Sequence, residues 1–249
     1  MFDLSGKVAL ITGGSRGLGR AMVSGLSASG AQVAFCYKFD AKSAEDVIDE
    51  VESKTGHRPL AIQADIVAEG ARNSLIEQVN NELGAIDILV NNAGTRLDGI
   101  ALRMSHAWDD VLELDLTAPF RLSQLVLRSM SRRSWGRIIN IGSIASRIGL
   151  GGQANYTAAK AGLEGLSRSL AQEYGKKGIT VNTVNPGFIE TDLTEDASSE
   201  LRQALLSRAA IPELLSPEAV ANAVVFLASG EAWAITGQTL NVDCGVVKF

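Results

Sequence analysis

The chain has 249 residues, 46% hydrophobic, 20% charged and 5% aromatic, with 25 glycines, 2 cysteines, 2 histidines and a formal charge of −5 at pH 7. That composition excludes a disulfide scaffold, a disordered chain and a general phosphate-binding surface for nucleic acid. His57 and His106 stand far apart, and Cys36 and Cys244 lack ligand spacing, so neither a histidine triad nor a metal site is expected.

Met1 to Lys7 carry no basic segment followed by an apolar run, and no apolar run approaches the roughly 20 residues that span a bilayer. A cytoplasmic protein with no membrane partner is the expectation. In chain order the strand candidates are Val8–Ile11, Val33–Tyr37, Leu60–Gln63, Ile86–Val90, Arg137–Ile141, Ile179–Val184 and Thr239–Val242. Most are continuous apolar runs, which suits strands buried on both faces of a parallel sheet. Segments with helical spacing lie between them. Val47, Ile48 and Val51 share a face in the second such segment, and Leu163, Leu166, Leu170 and Tyr174 form a stripe after Tyr156. Ser216-Pro217-Glu218 reads as an N-cap, a first-turn proline and a dipole-matched acid, opening a helix through Ala228. No linker or repeat divides the chain. The pattern predicts one domain over 1–249, a doubly wound α/β Rossmann fold with a seven-stranded parallel sheet.

The first run leads directly into Thr12-Gly13-Gly14-Ser15-Arg16-Gly17-Leu18-Gly19 and then a helix-like segment. Glycines there let the backbone approach a pyrophosphate, while helix N-terminal N–H groups and the dipole favour negative charge. A site preferring NAD places an acid about 20 residues past the glycines. Here the second strand ends Phe35-Cys36-Tyr37-Lys38, with no acid before Asp40. Arg16 and Lys38 suit a 2′-phosphate instead, so NADP(H) is the expected cofactor.

Tyr156 and Lys160 are four apart on one helix, hence side by side. A neighbouring cation favours the phenolate, which makes the pair an acid–base device. Ser143 follows the fifth strand at the carboxyl edge of the sheet, where ligands of open α/β folds bind.

Thr12-Gly13, Gly17 and Gly19, then Asn91-Asn92-Ala93-Gly94, Ser143, Tyr156 with Lys160, and Asn185-Pro186-Gly187 occur in the order of the short-chain dehydrogenases/reductases. The chain resembles that family along its whole length. Within it, Gly151-Gly152-Gln153-Ala154-Asn155-Tyr156, Leu102-Arg103-Met104, the stretch from Pro186 to Asp192 and the tail from Ile235 to Asp243 are most similar to β-ketoacyl–acyl-carrier-protein reductases. The resemblance implies that Tyr156 protonates the carbonyl oxygen, Lys160 tunes Tyr156 and bonds the nicotinamide ribose, and Ser143 donates to the substrate oxygen. It places Gly13, Ser15, Gly17, Leu18 and Gly19 at the phosphates, Asp65 and Ile66 at the adenine, and Asn92 and Gly94 at the ribose. Thr191, past the Pro186-Gly187 turn, would meet the carboxamide.

Two positions depart from the pattern. Asp115 stands where the family usually has an Asn that helps reprotonate the Tyr–Lys pair; ionised, it would oppose the phenolate, and protonated it would keep the Asn role. Cys244 stands where Gly is common, a matter of packing.

Arg128, Arg132, Arg133, Arg137, Lys176 and Lys177 flank the fifth and sixth strands and can form a docking patch for an acidic carrier protein, or can be scattered solvated cations. Residues 188–212 read as a substrate lid. Small residues on the Tyr156 helix (Ala158, Gly162, Gly165, Ser169) permit close approach of another helix, and the resemblance implies a homotetramer. Reduction of a β-ketoacyl chain on acyl carrier protein, in fatty-acid or polyketide-type synthesis, is the leading expectation. A dehydrogenase of a small free alcohol, sugar or steroid is the alternative, and a non-catalytic nucleotide-binding scaffold the third reading.

Overall fold

Strand β1 (Val8–Thr12) is buried along its whole length, and its side chains alternate between two separate cores. Ala9 and Ile11 face the layer that holds helices α1 (Gly17–Ala28), α2 (Ala41–Thr55) and α8 (Pro217–Ala228). Val8 and Leu10 face the layer of α3 (Glu69–Glu82), α5 (Ala118–Arg133) and α7 (Ala154–Tyr174). A strand covered on both sides cannot show polar alternation, which is why these strands read as continuous apolar runs. The computed structural model describes residues 2–189, 203 and 206–247.

The other strands are β2 (Gln32–Tyr37), β3 (Leu60–Gln63), β4 (Ile88–Asn91), β5 (Gly136–Ile141), β6 (Ile179–Pro186) and β7 (Thr239–Val242). All pair in parallel, in the order β3-β2-β1-β4-β5-β6-β7. The order reverses between β1 and β4, and that switch point opens a crevice at the carboxyl ends of the strands. The sheet is the seven-stranded, doubly wound one expected, with small shifts. β4 starts at Ile88 rather than Ile86, because the Asp87 carboxylate occupies the Val8 N–H at 3.1 Å and regular pairing begins one residue later, Ala9 with Ile88. Two short helices, α4 (His106–Leu112) and α6 (Ala145–Ile148), lie beside the crevice. Between α4 and α5 the chain makes a π-helical turn, Glu113–Thr117, that carries Asp115 inward with no exposed surface.

Candidate active site

The first residue after each of the six strands β1 to β6 (Gly13, Lys38, Ala64, Asn92, Gly142 and Gly187) lines one cavity of about 970 Å³. That is the size of a drug- or cofactor-holding site. Its far wall is the turn into α1. No side chain caps that helix, so its first N–H groups are open to the cavity, the arrangement that binds anionic oxygen. Gly19 is fixed by close approach: a Cβ there would lie 1.9 Å from the Gly13 carbonyl oxygen. The turn is braced from β4 by Asn92, whose amide donates to the Thr12 carbonyl at 2.9 Å and the Gly13 carbonyl at 3.0 Å. Asn92 also lines the cavity, with its amide donors given to the glycine turn. These residues fit a dinucleotide: backbone donors at a helix N-terminus, a cradle that a Cβ would fill, and cations at one rim.

That rim holds Arg16 and Lys38. Lys38 reaches Asp65 at 2.8 Å and holds that carboxyl below its usual range. Asp65, Ile66 and Lys38 therefore lie together at one end of the cavity, although Lys38 and Asp65 stand 27 positions apart in sequence. Arg16 lies close enough to Asp40 to help hold its carboxyl low, behind the larger effect of the Ser43 hydrogen bonds. Cys36, on β2 two residues before Lys38, is buried; desolvation pushes its thiol up to about 11 and leaves it a packing residue.

At the other end Ser143, Tyr156, Lys160 and Asp115 line the same cavity. The Ser143 hydroxyl oxygen accepts the Ala145 N–H at 3.1 Å, and among the described residues nothing accepts its hydrogen. It is left as a donor facing the cavity. Lys160 is 4% exposed; its Nζ lies 5.5 Å from the centre of the Tyr156 ring, donates to the Ile141 carbonyl at 3.1 Å and meets Asp115 Oδ2 at 3.2 Å. Only the hydrogen given to Ile141 is in a well-aligned hydrogen bond; the contact with Asp115 is an ion pair, and Asp115 Oδ2 is a buried oxygen without a hydrogen-bond partner among the described residues. Asp115 Oδ1 accepts the Thr95 N–H at 2.8 Å. Gly94 makes room for this pair, since a Cβ there would lie 2.9 Å from Asp115 Oδ2. Burial pushes the Asp115 carboxyl above the usual carboxylate range, against the pull of Lys160 and the Thr95 N–H. On Lys160 burial acts downward, but Asp115 and Tyr156 outweigh it and hold the ammonium above the ordinary lysine range.

A family model described as enoyl-(acyl carrier protein) reductase matches residues 13–247. The chain belongs to the short-chain dehydrogenase/reductase family. It is 43% identical to the 3-oxoacyl-[acyl-carrier-protein] reductase FabG of Escherichia coli (strain K12) over 245 residues, 98% of each chain. It is 41% identical to the enzyme of that name from Aquifex aeolicus (strain VF5) over 98% of each. A structure provisionally described as a gluconate dehydrogenase from Agrobacterium tumefaciens superposes with a TM-score of 0.94 at 31% identity, over 100% of this chain and 98% of that one.

Within this family member, Pro186 and Gly187 line the cavity as the sequence places them, while Thr191 and most of the 188–212 stretch lie outside the described residues. One surface expectation is corrected. Arg137 is 3% exposed, donates to the Gly136, Gly178 and Ser229 carbonyls and stacks on Trp135, so it belongs to the interior and not to a docking patch. Among the small residues of α7, Gly162 is occupied within the chain: a Cβ there would lie 2.8 Å from the Leu116 side chain. Sequence reading passed over Asn155. It has no exposed surface, donates to the Leu97 and Ala107 carbonyls at 3.0 and 2.8 Å, and so clips the 95–108 segment to the start of α7 beside Tyr156. Its only signal was a polar residue at the helix start, which ordinarily reads as a cap.

Proposed function

We propose that the protein reduces a 3-oxoacyl thioester held on acyl carrier protein to the 3-hydroxyacyl product, with NADPH as the reductant. The observation that carries this reading is a single cavity with an open helix N-terminus at one end and Ser143, Tyr156 and Lys160 at the other, in a chain 43% identical to such reductases. Bound NADPH supplies the hydride. Gly13, Ser15, Gly17, Leu18 and Gly19 hold its phosphates, and Arg16 and Lys38 meet its 2′-phosphate, with Asp65 and Ile66 beside the adenine. Ser143 donates its free hydrogen to the ketone oxygen and stabilises the negative charge that develops there. Tyr156 gives that oxygen a proton. The Lys160 ammonium, fixed by Ile141 and Asp115, stabilises the phenolate left behind. The catalytic unit is a cytoplasmic homotetramer, and the exposed cations Arg132, Lys176 and Lys177 receive the carrier, beside Arg133, whose charge Asp87 already pairs.

The likeness to a structure described as a gluconate dehydrogenase keeps a small free alcohol or sugar acid as the second reading. One panel separates the two: oxidation of NADPH and of NADH with acetoacetyl–carrier protein, its free thioester analogue, and simple ketones and keto sugar acids. The expected result is a carrier-linked rate above every free ketone with NADPH, lost by about a thousandfold in Tyr156→Phe. A free keto sugar acid turned over faster than the carrier-linked substrate overturns the proposal. Cofactor binding without reduction of any ketone returns the protein to a nucleotide-binding scaffold.

A further inference from the structure

Tyr156, Lys160 and Glu164 follow one another at four-residue steps on α7 and so occupy one narrow stripe. The first two face the cavity. Glu164 does not line it, yet its side chain is 5% exposed, a placement that an ionised carboxylate tolerates only with several donors. It has them. Ser146 Oγ lies 2.7 Å from Glu164 Oε1, Asn185 Nδ2 donates to the same oxygen at 3.0 Å, and Arg147 pairs with Oε2 at 2.7 Å. Arg168 approaches to 3.9 Å from the solvent side.

These partners surround the turn that carries Ser143. The Ser146 hydroxyl, with its single hydrogen, is also 2.6 Å from the Ser143 carbonyl, and the Ser146 N–H donates to that carbonyl at 3.1 Å. Asn185 reaches Ser146 Oγ as well, at 3.3 Å, from the end of β6. The turn itself hangs from β6 by two backbone bonds, Gly142 to Val184 and Ile144 to Pro186. Glu164 is therefore the point where the Ser143 turn, β6 and the helix bearing Tyr156 and Lys160 are tied together.

We propose that Glu164 is a positioning residue for Ser143: its buried carboxylate fastens the 143–147 turn to α7 and holds Ser143, Tyr156 and Lys160 in one frame. This rests on the reading of the cavity as a ketone-reducing site. Arg147 and Arg168 are about half exposed, so their ion pairs are screened, and the hydrogen bonds from Ser146 and Asn185 carry the effect. A glutamine keeps an acceptor oxygen for those two donors; a leucine has none.

The test is a double-mutant cycle combining Glu164→Leu or Glu164→Gln with Ser143→Ala, read with amide exchange on the cofactor-free chain. Glu164→Leu is expected to lower kcat about tenfold or more, because small misplacements of a reacting group are costly, while KM for NADPH stays within about twofold. Glu164→Gln should recover to within about threefold of the unmodified chain. Ser143→Ala should cost far less when combined with Glu164→Leu than alone, and exchange at amides 144–149 should rise in Glu164→Leu but not in Glu164→Gln. Losses that simply multiply, or unchanged exchange in that turn, overturn the proposal. If Glu164→Leu does not fold, Ser146→Ala takes its place in the same cycle. A chain that reduces no ketone at all defeats the reductase reading, and the exchange measurement then still decides whether Glu164 holds the turn.

Discussion

The buried pair of Asp115 and Lys160 carries the chemistry that sets this chain apart from the family pattern. Asp115 brings a second ionisable group into contact with the ammonium, so the two titrate as a pair. Lys160 is charged below its raised pKa and loses its charge as the pH climbs through it. Asp115→Asn removes the main upward pull and leaves burial, the largest effect, acting downward against Tyr156 alone. Lys160 then deprotonates at lower pH. The alkaline limb of kcat against pH should move to lower pH, with the other cavity acids, Asp40, Asp65, Asp110 and Glu113, the same in both proteins. A limb that does not move would show that Asp115 does not hold the ammonium's charge. Cys244 makes a second residue-scale case. Its φ is +55°, a left-handed conformation that disfavours side chains, which accounts for the glycine common at this place in the family. Cys244→Gly should relieve that strain by up to about 1 kcal/mol, partly offset by a more flexible unfolded chain, and raise Tm by roughly 2 °C in a thermal melt.

Helix α7 shows how an element can be half legible. Its apolar stripe was readable: Leu163 and Leu170 are buried, with Leu166 and Tyr174 packed against the same core. The neighbouring stripe, Lys160, Glu164 and Ser167, is polar and also buried. Ser167 ends a buried chain of hydrogen bonds that runs from Asn91 to Asn140 at 2.8 Å, from Asn140 to Ser167 at 2.9 Å, and between Ser167 and Thr183 at 2.8 Å. Apolar packing tolerates a slipped helix; directional bonds to β4, β5 and β6 fix one register, and with it the place of Tyr156. At the helix start, Asn155→Ala would strand the Leu97 and Ala107 carbonyls. The expected cost is about 2 kcal/mol in urea unfolding, together with faster proteolysis within residues 97–107. A stability unchanged within a few tenths would refute this clip. None of these partners could be read from one sequence, since each lies tens of residues away. Signals that close locally were readable to the residue: β3, β7 and α8 have the expected bounds, and Ser216 caps α8 by accepting the Ala219 N–H at 3.3 Å. The π-helical turn at 113–117 could not be read: one extra residue turns the apolar face by about 100°, but the 7 residues of α4 before it are too few to set a phase against which that shift shows.

Across the whole molecule, the topology separates the cations proposed to receive the carrier from the chemistry. The cavity lies at the carboxyl ends of the strands, whereas Arg132 and Arg133 end α5 just before β5 starts, and Lys176 and Lys177 lie just before β6 starts. Six residues of β5 put the two ends of the sheet about 20 Å apart. Arg133 is moreover engaged by Asp87 at 3.1 Å and the Ile86 carbonyl at 2.6 Å, which leaves Arg132, Lys176 and Lys177 as the cations of the group open to a carrier. A carrier docked there faces away from the cavity of its own subunit. In a tetramer its acyl chain would therefore enter a neighbour's cavity. Charge reversal at Arg132, Lys176 and Lys177 should lower kcat/KM for the carrier-linked substrate by about tenfold at low salt, less at 0.5 M salt, and leave the free thioester analogue unchanged. Mixing gives the sharper result. Subunits with the reversed charges, refolded together with Tyr156→Phe subunits, should regain carrier-linked activity, because one kind supplies the docking face and the other the proton donor. Mixed tetramers no more active than the two parents would place docking and reduction on the same subunit, and would move the carrier's site away from these cations.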